Sequence, residues 1–316
     1  MDRNLALNFV RVTEAAAMSS ARWVGKGDKN SADEAAVSMM RKTFTKFNIN
    51  GRIVIGEGER DNAPMLFIGE KIGSGDPEMD IAVDPLECTN SVAYGRPNAM
   101  TVLAASPKGT MMHAPDTYMN KLAVPKEAKG KVSIDEDVEY NLTNIAHALG
   151  KKVKDLTVMV LDRDRHKKLI SDIRKTDARI MLISDGDVAG AIAPSIEDNP
   201  IDVLMGIGAA PEAVLAASAL ACTGGYMEAK FAFRDEEDKK RAIGMGVTPD
   251  KTYKIEDMLD KDNAIFAATG VTDGPILRGV RFTKPGAITH SIVMRSKTKT
   301  IRFIEGHHNF RDEPKY

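Results

Sequence analysis

Cysteine is scarce in this chain: Cys88 and Cys222 are the only two among 316 residues. Two thiols make no disulfide framework, so the fold must rest on its hydrophobic core, and a reducing compartment suits it. No apolar run approaches the roughly 20 residues that span a bilayer. The first fourteen residues carry Asp2, Arg3, Arg11 and Glu14 where a secretory signal would need an unbroken apolar stretch. These absences predict a cytoplasmic protein with no membrane partner. Charge of one sign is lacking too: 44 Lys and Arg against 45 Asp and Glu leave a formal −1. That balance withholds the field a general nucleic-acid binder uses. Internal repeats, low-complexity tracts and Pro/Gly/Ser linkers are also missing.

What is present is the composition of a packed globular protein, with 43% hydrophobic residues. The length fits one large α/β unit or two closely packed domains. A boundary near Gly150 would divide it into 1–150 and 151–316. Ser31-Ala32-Asp33-Glu34 reads as a capping box ahead of Val37, Met40, Phe44 and Phe47, which predicts a helix over about 32–47. A strand at 52–55 breaks at the Gly56–Asp61 loop, and a second at 80–83 should end at Pro85, which has no N–H for a ladder. Further on, helices at 141–149, 167–175, 211–223 and 235–241 alternate with strands at 156–161, 179–183, 202–206 and 226–233. Gly150 and Gly224 stand as helix stops and Pro211 as a first-turn residue. The alternation predicts parallel α/β architecture. A hairpin pairing 289–295 with 300–304 closes the reading.

Three loops after predicted strands are acidic, with Glu57, Glu59 and Asp61 in the first, Asp84 and Glu87 in the second, and Glu212 at a helix start. Loops at the carboxyl ends of parallel strands share a crevice. Like charges about 4 Å apart repel by about 4 kcal/mol at an effective dielectric near 20, so such a cluster calls for cations. Carboxylate oxygens without neighbouring His or Cys suit Mg²⁺ or Mn²⁺ better than zinc. The run Asp84-Pro85-Leu86-Glu87-Cys88-Thr89-Asn90-Ser91 delivers two carboxylates and then residues suited to cap a helix, whose exposed N–H groups favour an anion. Metal, phosphate and hydroxyl would meet there.

Five segments, Arg22–Asp33, Ile55–Asp61, Asp84–Thr89, Ser184–Val188 and Gly206–Glu212, together resemble the class II fructose-1,6-bisphosphatases, in the superfamily of lithium-sensitive sugar and inositol phosphatases. The resemblance spans essentially the whole chain. It implies an α/β fold of the layered αβαβα sandwich type and metal-dependent hydrolysis of fructose 1,6-bisphosphate to fructose 6-phosphate in gluconeogenesis and glycerol metabolism. It implies Mn²⁺ or Mg²⁺ held by Asp33 and Glu57 in one place and by Asp84, Glu87 and Glu212 in another, with the Leu86 carbonyl as a further ligand. Thr89 would position the attacking water and Asp61 or Glu59 would take its proton. Substrate contacts would come from Lys29, Gly58, Glu87, Cys88, Thr89, Tyr118, Arg163, Arg165, Asp185, Gly186, Asp187 and Ala209. The 1–150 portion would then carry most metal ligands and Thr89, and the 151–316 portion most sugar-phosphate contacts and Glu212. A homodimer or homotetramer is implied.

The chain departs from that pattern where Cys88, Ala209 and Ala213 replace customary glycines and Arg163 a customary lysine. A cysteine at a position needing φ > 0 would carry strain. Sedoheptulose-1,7-bisphosphatase, inositol-phosphate phosphatase and a catalytically weak sugar-phosphate sensor remain alternatives; the complete ligand set argues against the sensor. Plainer readings stand beside these. Asp33 could serve the helix dipole. Glu59, Arg60 and Asp61 could be a solvated loop, and Arg163, Arg165, His166, Lys167 and Lys168 an exposed basic helix start, although a bisphosphate needs a second cationic anchor. Cys88 as a cysteine-phosphatase nucleophile lacks an arginine at short spacing, since the next is Arg96. Gly206–Pro211 opens like a dinucleotide loop but puts Pro211 where the third glycine belongs. His307 and His308 read as surface residues, and Met39-Met40 and Met111-Met112 as core filling.

Overall fold

The computed structural model describes residues 5–57 and 65–311. In chain order the first elements are α1 (Leu5–Ala21), α2 (Lys29–Phe44), β1 (Asn50–Ile55), β2 (Lys71–Ile72), β3 (Glu78–Glu87), α3 (Thr89–Ala93) and β4 (Met100–Pro107). Next come β5 (Tyr118–Val124), α4 (Val138–Leu149), β6 (Thr157–Leu161), α5 (Lys167–Lys175), β7 (Arg179–Ile183), α6 (Asp187–Ile192), β8 (Val203–Ala209), α7 (Ala210–Thr223), β9 (Tyr226–Ala232), α8 (Glu236–Gly244), β10 (Tyr253–Lys254) and α9 (Ile255–Met258). The chain ends with β11 (Ile265–Gly270), β12 (Arg281–Phe282), β13 (Gly286–Arg295) and β14 (Thr300–Asn309).

Two compact units result, one of residues up to Met111 and from Asp262 onward, the other Met112–Lys261. The division is not near residue 150: Gly150, at φ 64, is the left-handed cap of α4 inside the second unit. Within the first unit, α1 and α2 pack on an eight-stranded sheet of order β12-β13-β11-β4-β3-β1-β2, with β14 paired to β13. Phe9, Val12 and Ala16 of α1 and Ala36, Met40 and Phe44 of α2 recur at helical spacing and bury against Ile53, Met79, Ile81 and Leu103. A buried hydroxyl chain, Thr13 to Thr269 to Ser291 with both steps 2.8 Å, fixes α1 to β11 and β13. In the second unit a six-stranded sheet runs β10-β9-β5-β8-β6-β7. Leu142, Ile145, Ile170 and Ile173 of α4 and α5 cover one face. The other face receives α6 and α7, so closely that a Cβ at Gly190 would strike Met159 and Leu204. One unit is thus two-layered and the other three-layered, each a mixed α/β sandwich.

Both sheets are mixed rather than parallel. Among described strands of the first sheet only β1 and β3 pair in parallel, and in the second β6 lies parallel to β7 and β8. Pro85 does not end β3. The ladder shifts register between Asp84 and Glu87, an extra residue is accommodated there, and the missing proline N–H falls at the irregularity. Helix α2 starts earlier than its capping box suggested, because Asp28 accepts the Ser31 N–H at 3.0 Å and the Ser31 hydroxyl at 2.6 Å. The terminal hairpin forms over ten pairs, Gly286 with Asn309 through Arg295 with Thr300.

Candidate active site

In the first unit, β1 and β3 are parallel neighbours with Ile55 beside Ala82, so Glu57, just past the end of β1, and Asp84, still paired with Val102 within β3, lie toward the same end of the sheet. Helix α2, carrying half-buried Asp33, packs on β3 and α3. The bulge at Pro85 sets the next residues: the Leu86 N–H donates to Asp84 Oδ1 at 3.1 Å, the Thr101 hydroxyl donates to the Pro85 carbonyl at 3.0 Å, and Glu87 is buried. Cys88 follows at φ 73, ψ 52, with its thiol 3.1 Å from the Asn98 carbonyl, and Thr89 opens α3. The helix has five residues and Cys88 is its cap residue, without a side-chain capping bond; the roles foreseen for Thr89, Asn90 and Ser91 as caps are not taken. Gly25 and Gly27 donate their N–H groups to the Val92 and Ala93 carbonyls, which ties the loop before α2 to α3. Lys29 is exposed at the first position of α2. Burial pushes the Asp33 carboxyl up to about 6. Gly58, Glu59 and Asp61 lie outside the described residues.

Across the second sheet the end of β8 meets the start of its antiparallel neighbour β5, with Ala209 opposite Tyr118. Strands β6 and β7 run parallel to β8, so Arg163 and Arg165 after β6, Asp185–Asp187 after β7 and Glu212 after β8 all project from one end of this sheet. Arg165 donates to the Ile207 carbonyl at 2.8 and 3.1 Å and lies over the Tyr118 ring, 4.9 Å from its centre. Arg163 approaches Asp185 at 3.8 Å. Gly186 is left-handed at φ 79, and the turn delivers buried Asp187 to the Lys121 ammonium at 2.7 Å. No side chain fits at Gly208, where a Cβ would overlap the Asp187 carboxylate.

Glu212 stands in the first turn of α7 behind Pro211. Its Oε2 is closed off from solvent and has no hydrogen-bond partner among the described residues. Burial, with Asp187 adding repulsion and Lys121 opposing both, pushes this carboxyl up to about 7. A carboxylate so placed fits a hard divalent cation, and so does the all-oxygen chemistry of Asp33, Glu57, Asp84, Glu87 and Glu212. Among the described residues, however, no three His, Cys, Asp or Glu side chains are grouped as a ready-made metal cage.

Both sets of residues lie within one family match: bacterial fructose-1,6-bisphosphatases encoded by glpX match residues 3–308. The chain belongs to this family. As a class II fructose-1,6-bisphosphatase family member it is 45% identical to a Microcystis aeruginosa protein named D-fructose 1,6-bisphosphatase class 2/sedoheptulose 1,7-bisphosphatase, over 100% of this chain and 99% of that one. A Trichodesmium erythraeum protein of the same name is 46% identical over 98% and 97% of the two chains. One from Synechocystis is 45% identical over 100% and 99%.

Of the three replaced glycines in this bisphosphatase chain, only Cys88 sits in left-handed backbone. Ala209 has an ordinary φ of −69 and Ala213 is interior to α7, so neither carries backbone strain. Sequence reasoning missed Lys121 and misplaced His166. Lys121 is 1% exposed, and a lysine within the apolar run of β5 was the available signal. His166 is not part of an exposed basic helix start but is buried. It sits 2.7 Å from the Leu161 carbonyl through Nδ1 and accepts the Ile207 N–H at 2.7 Å through Nε2, which fixes the neutral tautomer and ties the Arg163–Arg165 turn to β8. His307 is exposed beside Glu305, whereas His308 faces the opposite side of β14 and reaches the Thr289 hydroxyl at 2.9 Å; they are no metal pair. No described helix is long and apolar enough to cross a membrane.

Proposed function

We propose that this chain hydrolyses the 1-phosphate of fructose 1,6-bisphosphate to release fructose 6-phosphate and inorganic phosphate. Membership of the bisphosphatase family over nearly the whole length carries this reading. The two kinds of charged end described above support it. In the reading, Asp33, Glu57, Asp84, the Leu86 carbonyl, Glu87 and Glu212 hold the divalent ions, with Mn²⁺ or Mg²⁺ matched to their oxygen donors. A bound ion supplies positive charge that offsets the phosphate's own. Thr89 holds the attacking water by its hydroxyl, and Asp61 or Glu59 accepts the proton. Arg163, Arg165, Tyr118 and the Asp185-Gly186-Asp187 turn receive the sugar and the phosphate that stays, with Arg163 and Arg165 as its cationic anchor. Lys29, Gly58, Cys88 and Ala209 complete the substrate contacts. The protein works in the cytoplasm, in gluconeogenesis and glycerol metabolism, as a homodimer or homotetramer.

Sedoheptulose 1,7-bisphosphate is the second substrate, because the relatives carry both activities in their name. Phosphate release from the two bisphosphates, from inositol 1-phosphate and from fructose 6-phosphate, each with Mn²⁺ and with Mg²⁺, tests the reading. Turnover of fructose 1,6-bisphosphate well above the monophosphates is expected. Binding of that substrate without turnover would leave a sensor in place of an enzyme.

A further inference from the structure

Tyr118 stands at the start of β5 with Ala209 of β8 on one side and Ala232 of β9 on the other. Cross-strand neighbours commonly hold a ring in place on a sheet, and two methyl groups give this one little to lean on. Guanidinium groups flank it instead: Arg165 lies 4.9 Å and Arg234 5.8 Å from the ring centre. Arg165 is anchored to the Ile207 carbonyl. Arg234 is anchored by Asp238, a carboxylate of α8 that is 4% exposed and has no part in the site described above. Asp238 accepts the Arg234 Nε–H at 3.1 Å, a terminal N–H of the same guanidinium at 3.0 Å and the Arg234 backbone N–H at 3.1 Å. Arg241, one turn along α8, adds a fourth bond at 3.1 Å.

The same carboxylate reaches the chain just ahead of the ring. The Thr117 hydroxyl donates to Asp238, and Arg234 and Arg241 both donate to the Asp116 carbonyl, Arg241 at 2.6 Å. From another side the Ala210 N–H donates to the Thr117 carbonyl at 2.8 Å, so the Asp116–Tyr118 segment is tied to α8 and to the start of α7 alike. An ion pair serving the β9–α8 turn alone would need Arg234 and Asp238, four residues apart, and no hydroxyl from 121 residues earlier. The Arg234 hydrogen bonds above all, with Thr117 and Arg241, hold the Asp238 carboxyl well below the usual carboxylate range, so the guanidinium groups face a full negative charge at neutral pH. On the reading that this end receives the phosphate that stays, we propose that Asp238 is a positioning residue: through Arg234, Arg241 and Thr117 it fixes the Tyr118 ring beside Arg165, and so sets the preference for a sugar bisphosphate over a monophosphate that lacks the second phosphate.

The test sets fructose 1,6-bisphosphate against fructose 1-phosphate, which lacks the retained phosphate, in the full chain with Mn²⁺, and measures fructose 6-phosphate binding by calorimetry. In Asp238→Asn, which keeps the size of the side chain, KM for the bisphosphate should rise about tenfold with kcat within about twofold, while KM for fructose 1-phosphate stays within about twofold. Affinity for fructose 6-phosphate should fall by a similar factor. Arg234→Gln, at a partly exposed side chain, should shift the same three quantities in the same direction, and it carries the test should Asp238→Asn not fold. Because Asp238 acts through the ring, Tyr118→Leu and Tyr118→Leu/Asp238→Asn should show the same KM for the bisphosphate, and additive effects would overturn that route. A lowered melting temperature with parental KM and affinity would leave Asp238 a brace of the β9–α8 turn and overturn the proposal, as would an equal rise in KM for both substrates. A parent that releases no phosphate from the bisphosphate contradicts the proposed function instead. Fructose 6-phosphate then decides Asp238 by itself, since equal affinity in parent and variant, or none in either, overturns its role.

Discussion

The chemistry-bearing residues of the first unit are aimed by irregular backbone, while those of the second are aimed by hydrogen bonds from buried side chains. A bulge at Pro85 sets Asp84 and Glu87 in the last turn of the β3 ladder, and a left-handed residue at Cys88 turns the chain off its end into Thr89. In the second unit, Lys121 holds Asp187, His166 holds the Arg163–Arg165 turn against β8, and Arg165 is bound to the Ile207 carbonyl over Tyr118. On the proposed function, the contrast follows from the partner each set of residues would meet. Carboxylates gathered at one end need a cation to come to rest together, and no closed cage of them stands among the described residues. A cationic anchor can be ordered in advance by the protein's own carboxylates and carbonyls.

Breaking the second unit's frame should have the largest effect. Lys121→Met leaves Asp187 buried without its ammonium and Glu212 without the charge that eases its ionisation. The expected loss is about 3–5 kcal/mol in urea unfolding, much of it recovered when Asp187→Leu is added. A single variant as stable as the parent would show that this end does not depend on the pair.

Glu212 gives the next effect through pH. Its folded pKa near 7 exceeds the ordinary 4.5, so the folded chain keeps a proton that the unfolded chain releases. Stability of the metal-free protein should therefore fall as pH rises from about 4.5 to about 7, by roughly 3 kcal/mol in all. Asp33, raised to about 6, adds to the lower part of the same decline. Glu212→Gln should flatten the profile between about pH 6 and 7 and leave below it only the shallower decline owed to Asp33, and millimolar Mg²⁺ or Mn²⁺ should restore stability to the parent above pH 7. A flat profile in the parent would contradict the burial argument.

Two changes in the first unit sharpen the other side of the comparison. Thr89→Ala should lower kcat by about 100-fold with little change in KM, since the hydroxyl is assigned to the water and not to the substrate's grip. A change confined to KM would move Thr89 to binding. Cys88→Gly should raise stability by about 1 kcal/mol by removing a side chain from left-handed backbone, less whatever the thiol contact to Asn98 contributes. Thermal denaturation resolves the sign.

Much of the local structure was legible. Helices α4, α5 and α7, strands β6, β7, β8 and β9 and the terminal hairpin fall where periodicity and glycine stops put them. What escaped was decided at a distance or by competition between neighbours. Asp28 won the cap from Ser31 because its side chain accepts both the Ser31 N–H and its hydroxyl. Pro85 stays in β3 because a bulge removed the need for its donor. The apolar pattern of β5 is interrupted by Asn120 and Lys121, and the lysine is tolerable only beside Asp187, 66 residues along the chain. Helix α1 blurs its periodicity with alanines and buried Thr13 and Ser20, whose hydroxyls bond inside the fold. The unit boundary was illegible because the first unit is discontinuous: its last four strands return after the second unit is complete. For the site, the motifs named the residues, while the strand ends that bring Arg163, Asp185 and Tyr118 together come from sheet order, which no local pattern carries.

The most direct test of the account is inorganic phosphate released from fructose 1,6-bisphosphate by the purified chain, first stripped with a chelator and then titrated with Mn²⁺ or Mg²⁺. The account predicts no release after stripping and recovery on titration in the parent, with recovery lost in Asp84→Ala and Glu212→Gln. Release that persists in the stripped enzyme, or recovers fully in both variants, would contradict it.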